Sequence, residues 1–255
     1  MRFENKVALI TAAGAGIGKA TAEIMVSEGA TVIAVENRQD RLDALADGLR
    51  DAPGKVVAKC IDAMDEAQVR QAVREVADEF GRIDILVNAV GGSTIIENAA
   101  RPIDELSLDE WQKILNFNLT ATFCFINAAV PVMKANRFGK IVNLSSVAGR
   151  GMSLESSSPY AVAKGGIIAM TKRLAHELGP HGICVNAIAP SLTLTERLMP
   201  YWEARSPESQ AEQIARFPLG RVAVAADQAK VIAFLASSDA DFVTGVTIDV
   251  NGGEV

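Results

Sequence analysis

Tyr160 and Lys164 stand four residues apart, just after Ser156-Ser157-Ser158-Pro159 and downstream of an apolar run that ends in Ser145-Ser146. Serine followed by proline reads as a helix start, with Ser158 supplying the capping hydroxyl and Pro159 the first helical residue. Tyr160 and Lys164 then share one helix face, and Tyr160 falls in the first turn, where unpaired backbone N–H groups carry partial positive charge. An unperturbed phenol titrates near about 10 and is a poor base at neutral pH. An adjacent ammonium and a helix N-terminus both favour phenolate, so this pair, with a serine close by, has the makings of a proton-transfer site. The spacing alone fits a surface tyrosine and a solvated lysine equally well, and the rest of the chain must decide.

A second group of residues suits a dinucleotide. The first apolar run leads into Thr11-Ala12-Ala13-Gly14-Ala15-Gly16-Ile17-Gly18 and then a helical pattern. Glycines in such a turn let backbone approach a diphosphate at a helix N-terminus, although they serve tight packing equally well. Glu36 ends the second apolar run, 18 residues after Gly18, where a carboxylate accepts hydrogen bonds from an adenosine ribose. Asp62 ends the third run and is placed either to contact adenine or to cap the helix opening at Asp65.

The elements that must position these residues follow from periodicity. Short β-branched runs at 6–12, 31–35, 56–61, 85–88, 140–144, 183–188 and 247–250 alternate with helical patterns at 17–28, 40–49, 65–80, 108–133, 159–178 and 225–236. Alternation of this kind predicts an α/β fold: a doubly wound, seven-stranded parallel sheet with helices on both faces. Runs that are apolar on both faces fit strands covered from both sides. No linker or repeat divides residues 1–255, so one domain is expected, with 191–218 as a substrate lid over the crevice.

Composition narrows the partners. Lys and Arg number 25 against 31 Asp and Glu, a formal net charge of −6, and no basic run exceeds Lys172-Arg173, which argues against nucleic acid. The N-terminal residues lack signal-peptide organisation and no apolar stretch reads as long enough to span a bilayer, so a cytoplasmic protein without a membrane partner is expected. Cys60, Cys124 and Cys184 are far apart and read as buried free thiols. His176 and His181 flank the far end of the Tyr160 helix and read as structural. With no Cys/His cluster, no metal is expected.

Taken together, these motifs resemble the short-chain dehydrogenase/reductase family over essentially the whole chain. The family's T-G-x-x-x-G-x-G is matched by Thr11 to Gly18, with Ala12 at the first glycine, and its N-N-A-G by Asn88-Ala89-Val90-Gly91. Ala12 is tolerated if its backbone keeps a negative φ and is costly if a positive φ is required. The catalytic set implied is Asn118, Ser146, Tyr160 and Lys164, with Ser145 the alternative serine. Tyr160 would exchange the substrate proton. Lys164 would lower the tyrosine pKa and hydrogen-bond the nicotinamide ribose, Ser146 would hold the substrate oxygen, and Asn118 would support a water. Cofactor contacts are implied at Gly14, Gly16, Ile17, Gly18 and Glu36, at Asp62 and Ala63, at Asn88 and Gly91, at Tyr160 and Lys164, and at Pro190, Thr193 and Thr195.

That resemblance implies an oxidoreductase moving hydride between a nicotinamide and an alcohol or ketone, working as a homotetramer or homodimer paired through the 108–133 and 159–178 helices. Glu36 opposes a 2′-phosphate, so NAD is expected over NADP, while Arg38 points the other way. Leu192, Leu194, Leu198, Met199, Tyr201 and Trp202, with Ile95 and Ile96, suggest a pocket for an apolar or cyclic secondary alcohol. The alternative substrate is a 3-oxoacyl thioester on acyl carrier protein, reduced with NADPH, with Lys134 and Arg137 near the carrier. A nucleotide sensor without turnover fits less well, since it needs no proton relay.

Overall fold

Alternating residues of the central strands bury against helices on opposite sides, which is what turns β-branched runs into a covered parallel sheet. In this computed structural model, which describes residues 1–153 and 156–254, β1 (Val7–Thr11) leads through α1 (Gly16–Ser27) to β2 (Thr31–Glu36), and α2 (Gln39–Gly48) leads to β3 (Lys55–Cys60). After α3 (Glu66–Phe80) comes β4 (Ile85–Asn88), then α4 (Leu108–Leu115) and α5 (Ala121–Asn136), then β5 (Gly139–Leu144). The long α6 (Ser158–Leu178) precedes β6 (Ile183–Pro190). β7 (Thr193–Leu194), α7 (Met199–Glu203), α8 (Pro207–Ala215) and β8 (Ala223–Val224) form the insert, followed by α9 (Ala225–Ala236) and β9 (Thr247–Val250).

Seven strands pair in parallel, as expected, and their order is β3-β2-β1-β4-β5-β6-β9, with β7 pairing with β8 apart from them. The order reverses between β1 and β4, leaving a crevice outside their C-terminal ends. Ala8 and Ile10 of β1 face Met25 and Val26 of α1 and Ile232 of α9, whereas Leu9 faces the layer holding Val73, Phe125 and Leu178. Each of the larger buried side chains contributes about 1.5–3 kcal/mol of transfer free energy, so this double layer holds the strand ends still.

Three local features depart from expectation. The 108–133 helix is interrupted by a π-turn at Asn116–Thr120 between α4 and α5. The nearly continuous helix from Leu108 to Asn136 contains an 18-residue window of mean hydropathy 1.3, so it does have the length and composition to cross a bilayer. Here Phe125, Ile126, Ala129 and Met133 bury it in the layer that also holds α3. The cysteines are free thiols, but Cys60, on the uncovered edge strand β3, is exposed, and Cys124 and Cys184 are only half-buried.

Candidate active site

α6 opens one residue earlier than the serine-proline spacing predicts. Ser157 is its N-cap and makes no side-chain cap bond, Ser158 is the first helical residue and Pro159 the second. Helix start therefore rests on proline's fixed φ, and Ser158 is not the capping hydroxyl. Tyr160 and Lys164 still lie on one face. Lys164 Nζ donates to the Leu144 carbonyl at 2.7 Å and lies 5.6 Å from the Tyr160 ring centroid.

Two serines end β5 and they diverge. Ser145 Oγ donates to the Lys164 carbonyl at 2.8 Å, a buried bond that fastens α6 to the sheet. Ser146 Oγ hydrogen-bonds the Tyr160 phenol. It also accepts the Ala148 N–H at 3.1 Å and makes a long 3.4 Å bond to the Pro190 carbonyl. The serine facing the phenol is therefore Ser146. Asn118 sits in the π-turn, fully buried. Its Oδ1 accepts the Gly92 N–H at 2.9 Å, and its Nδ2 donates to the Gly92 and Ile114 carbonyls, each at 3.0 Å. Gly91 separates these groups: a Cβ there would lie 2.6 Å from Asn118 Oδ1 and 2.9 Å from Lys164 Nζ. All four expected catalytic side chains thus meet at the C-terminal ends of β4 and β5.

Electrostatics at this point differ from the simple Tyr-Lys picture. Burial pushes the Tyr160 phenol up, while the Ser146 bond and then the charge of Arg197 pull it back. Burial, and next the charge of Arg197, push the Lys164 pKa down to about 7. Lysine and tyrosine are both set by desolvation, and Arg197 is the cation that both feel.

The crevice continues toward the glycine-rich turn as a cleft of about 420 Å³. Gly16, Ile17, Gly18, Glu36, Gly91, Tyr160, Lys164, Pro190, Thr193 and Thr195 line it as anticipated. Gly14 does not; it makes room for Glu36, since a Cβ there would lie 2.8 Å from Glu36 Cγ. Nor does Asn88, whose Nδ2 donates to Asn143 Oδ1 at 2.9 Å in a buried chain that runs on to Thr171. Asp62 and Ala63 also lie outside the lining. Asp62 accepts the Met64 N–H at 2.9 Å, and Asp65 rather than Asp62 caps α3. Ala12 lines the cleft with φ 51°, so alanine occupies the costly left-handed region, at about 1–2 kcal/mol.

Residues that spacing did not reveal complete the picture. Glu36 is buried, accepts the Asn37 N–H at 3.1 Å, and lies 3.7 Å from Arg41 Nη1, a loose pair in which Arg41 also lines the cleft. Arg38, weighed for a 2′-phosphate, is instead forked onto Asp40 at 2.7 and 2.8 Å, away from the cleft. From the insert, Glu196 Oε2 accepts the Gly16 N–H at 2.9 Å at the N-terminus of α1, and Arg197 Nη1 donates to the Gly91 carbonyl at 3.2 Å. The Glu196 contact demonstrates within the molecule that this helix terminus takes an anionic oxygen, which is what a dinucleotide diphosphate requires. Of the apolar residues expected in the pocket, Leu192 and Leu198 line the cleft; Leu194, Met199, Tyr201, Trp202, Ile95 and Ile96 do not. Among the described residues no His/Cys/Asp/Glu group is arranged to hold a metal ion.

A doubly wound sheet with this site at its reversal point defines a nicotinamide-type oxidoreductase, and comparison with known proteins agrees. The family profile described as "Enoyl-(Acyl carrier protein) reductase" matches residues 11–254. 3-Oxoacyl-(acyl-carrier-protein) reductase FabG of Thermotoga maritima is 39% identical over 255 residues, covering 100% of both chains. (2S)-((R)-hydroxy(phenyl)methyl)succinyl-CoA dehydrogenase subunit BbsD of Thauera aromatica is 36% identical over 253 residues, 99% of this chain and 98% of that one. The crystal structure of 3-oxoacyl-(acyl-carrier protein) reductase from Brucella melitensis superposes with a TM-score of 0.90 at 36% identity, covering 99% of this chain and 92% of the other. The chain belongs to the short-chain dehydrogenase/reductase family.

Proposed function

We propose that this protein interconverts 3-oxoacyl and 3-hydroxyacyl thioesters with NAD(H), exchanging the substrate proton at the Tyr160 phenol. The observation that carries this reading is the Ser146 hydroxyl on the Tyr160 phenol, beside Lys164 and open to the cleft. Nicotinamide, when bound, supplies or accepts the hydride. The chain's own residues manage the proton and the oxygen. Ser146 re-aims its weak Pro190 bond toward the substrate oxygen, so a donor is in place where alkoxide charge develops. Lys164, fixed on the Leu144 carbonyl, carries or releases a proton near neutrality next to the phenol. Asn118 has its side chain fully engaged by Gly92 and Ile114, which makes it a positioning residue for the β4 end.

A thioester takes precedence over a simple apolar or cyclic alcohol because the relatives' names point to acyl carriers and CoA. Apolar lining from the insert is also confined to Leu192 and Leu198. NAD over NADP is supported by the buried Glu36 carboxylate at the cleft and by Arg38 being tied to Asp40. The same proposal includes a cytoplasmic location and a homodimer or homotetramer; exposed Phe123 on α5 and Val162 on α6 suit pairing through those helices. The test is to follow NADH and, separately, NADPH oxidation with acetoacetyl-CoA. Turnover about tenfold more efficient with NADH is expected. Absence of turnover with either cofactor, or its survival in Tyr160→Phe, overturns the reaction; preference for NADPH overturns the role of Glu36 alone.

A further inference from the structure

Proton handling by Ser146, Tyr160 and Lys164, with Asn118 as a positioning residue, leaves Arg197 without a task. Its guanidinium lies along the end of β4, where Nη1 donates to the Gly91 carbonyl and a Cβ on Gly92 would come within 2.5 Å of Nη1. Gly91 is the residue wedged between Asn118 and Lys164, so Arg197 stands at the reacting end of the cleft. Its charge lowers the proton affinity of both Tyr160 and Lys164.

Nothing acidic answers that charge. Among the described residues Arg197 forms no ion pair, and its one hydrogen bond is to a neutral carbonyl. Two acids line the cleft, Glu36 and Glu196, and both belong to the opposite end: Glu36 packs over Gly14, and Glu196 holds the Gly16 N–H. The cofactor's own anion, its diphosphate, is expected at that α1 terminus as well. An exposed guanidinium that faces a cleft, close to two groups that move protons and away from the cofactor's phosphates, is completed by an anion on the substrate. Its planar fork matches a carboxylate in a way a lysine would not.

We propose that Arg197 is a specificity residue that pairs with a carboxylate on the acyl chain of the substrate, so that the preferred thioester is an acid-bearing one. This rests on the thioester reading above. 3-Oxoadipyl-CoA and 3-oxohexanoyl-CoA have equal acyl length and differ in a terminal carboxylate, which isolates the effect. With NADH, the wild-type kcat/KM for the acid is expected to exceed that for the neutral chain by about tenfold or more, mainly through KM. In Arg197→Met the ratio falls to about one, and in Arg197→Lys it is intermediate.

Equal kcat/KM for both thioesters in the wild type, or a ratio that Arg197→Met leaves unchanged, overturns this assignment while the thioester reading stands. A loss of about tenfold in NADH affinity in Arg197→Met, read by fluorescence titration, makes the cofactor diphosphate the anion held and overturns it too. Failure of the wild type to reduce either thioester overturns the reaction itself, and the assignment with it.

Discussion

At the reacting end of the cleft, polar side chains are tied to backbone. Asn118 spans Gly92 and Ile114, Lys164 holds the Leu144 carbonyl, and Ser145 locks α6 onto β5. At the adenosine end the polar groups are held loosely. Glu36 and Arg41 sit 3.7 Å apart, and the Arg41 side chain reaches solvent. The first arrangement fixes a reaction, because donors aimed at developing charge act only if they do not have to reorganise. The second fixes a preference, because a wet ion pair contributes little and is easily retuned. Substitutions at the two ends should therefore fail in different ways.

Tyr160→Phe gives the sharpest break. Removing a general acid–base group should cost roughly 10²–10⁴ in kcat, while NADH still binds within about twofold by fluorescence titration. Lys164→Met tests how much burial the rigid end tolerates. Lys164 has a pKa of about 7 in the folded protein against 10.5 for the free side chain, so the unfolded chain holds the extra proton between those values. Wild-type stability from this group therefore rises with pH from about 7 to 10.5, and below pH 7 the buried ammonium costs the fold the full difference. Lys164→Met should be the more stable protein at pH 6, by a few kcal/mol in urea titrations, with the gain shrinking as pH rises. An unchanged gap between pH 6 and pH 10 would place the lysine in a solvated setting.

At the looser end the effects are smaller. Glu36→Ala should erode the proposed NADH-over-NADPH preference by about tenfold in the ratio of kcat/KM, since even a screened repulsion of about 1.4 kcal/mol does that much. A ratio that does not move would transfer the selecting role to Arg41. Smallest is Ala12→Gly, which relieves a left-handed alanine and should raise unfolding free energy by about 1 kcal/mol. No gain in chemical denaturation would mean that the turn is relaxed in solution.

The parallel sheet and both helix layers were legible in the sequence because runs such as Ala8–Ile10 are apolar on both faces, a pattern that covered strands require. Tyr160, Lys164 and the Ser145-Ser146 pair were legible as types at fixed distances from a strand end and a helix start, whereas Asn118 was reached only through the family resemblance. What escaped was of two kinds. The π-turn at Asn116–Thr120 leaves the helical periodicity on either side nearly intact, so no pattern marks it; its trace is that Asn118, a polar residue inside an apolar helix, is fully buried. Arg41, Glu196 and Arg197 are long charged side chains on a helix face and a loop, where spacing reports only solvent exposure. Tertiary placement alone turns them toward the cleft. Asn88 and Gly14 erred the opposite way: each stands beside the site in sequence, but one bonds to Asn143 in the sheet and the other clears space for Glu36.

The bond from the Gly16 N–H to Glu196 gives the insert a second meaning. A carboxylate oxygen and a phosphate oxygen cannot accept the same N–H, so the two anions exclude one another at the start of α1. Any cofactor dissociation constant measured on this protein is then an exchange constant, the intrinsic Kd divided by the fraction of molecules whose Glu196 has let go. The chain carries its own tethered competitor for the N–H groups at the start of α1.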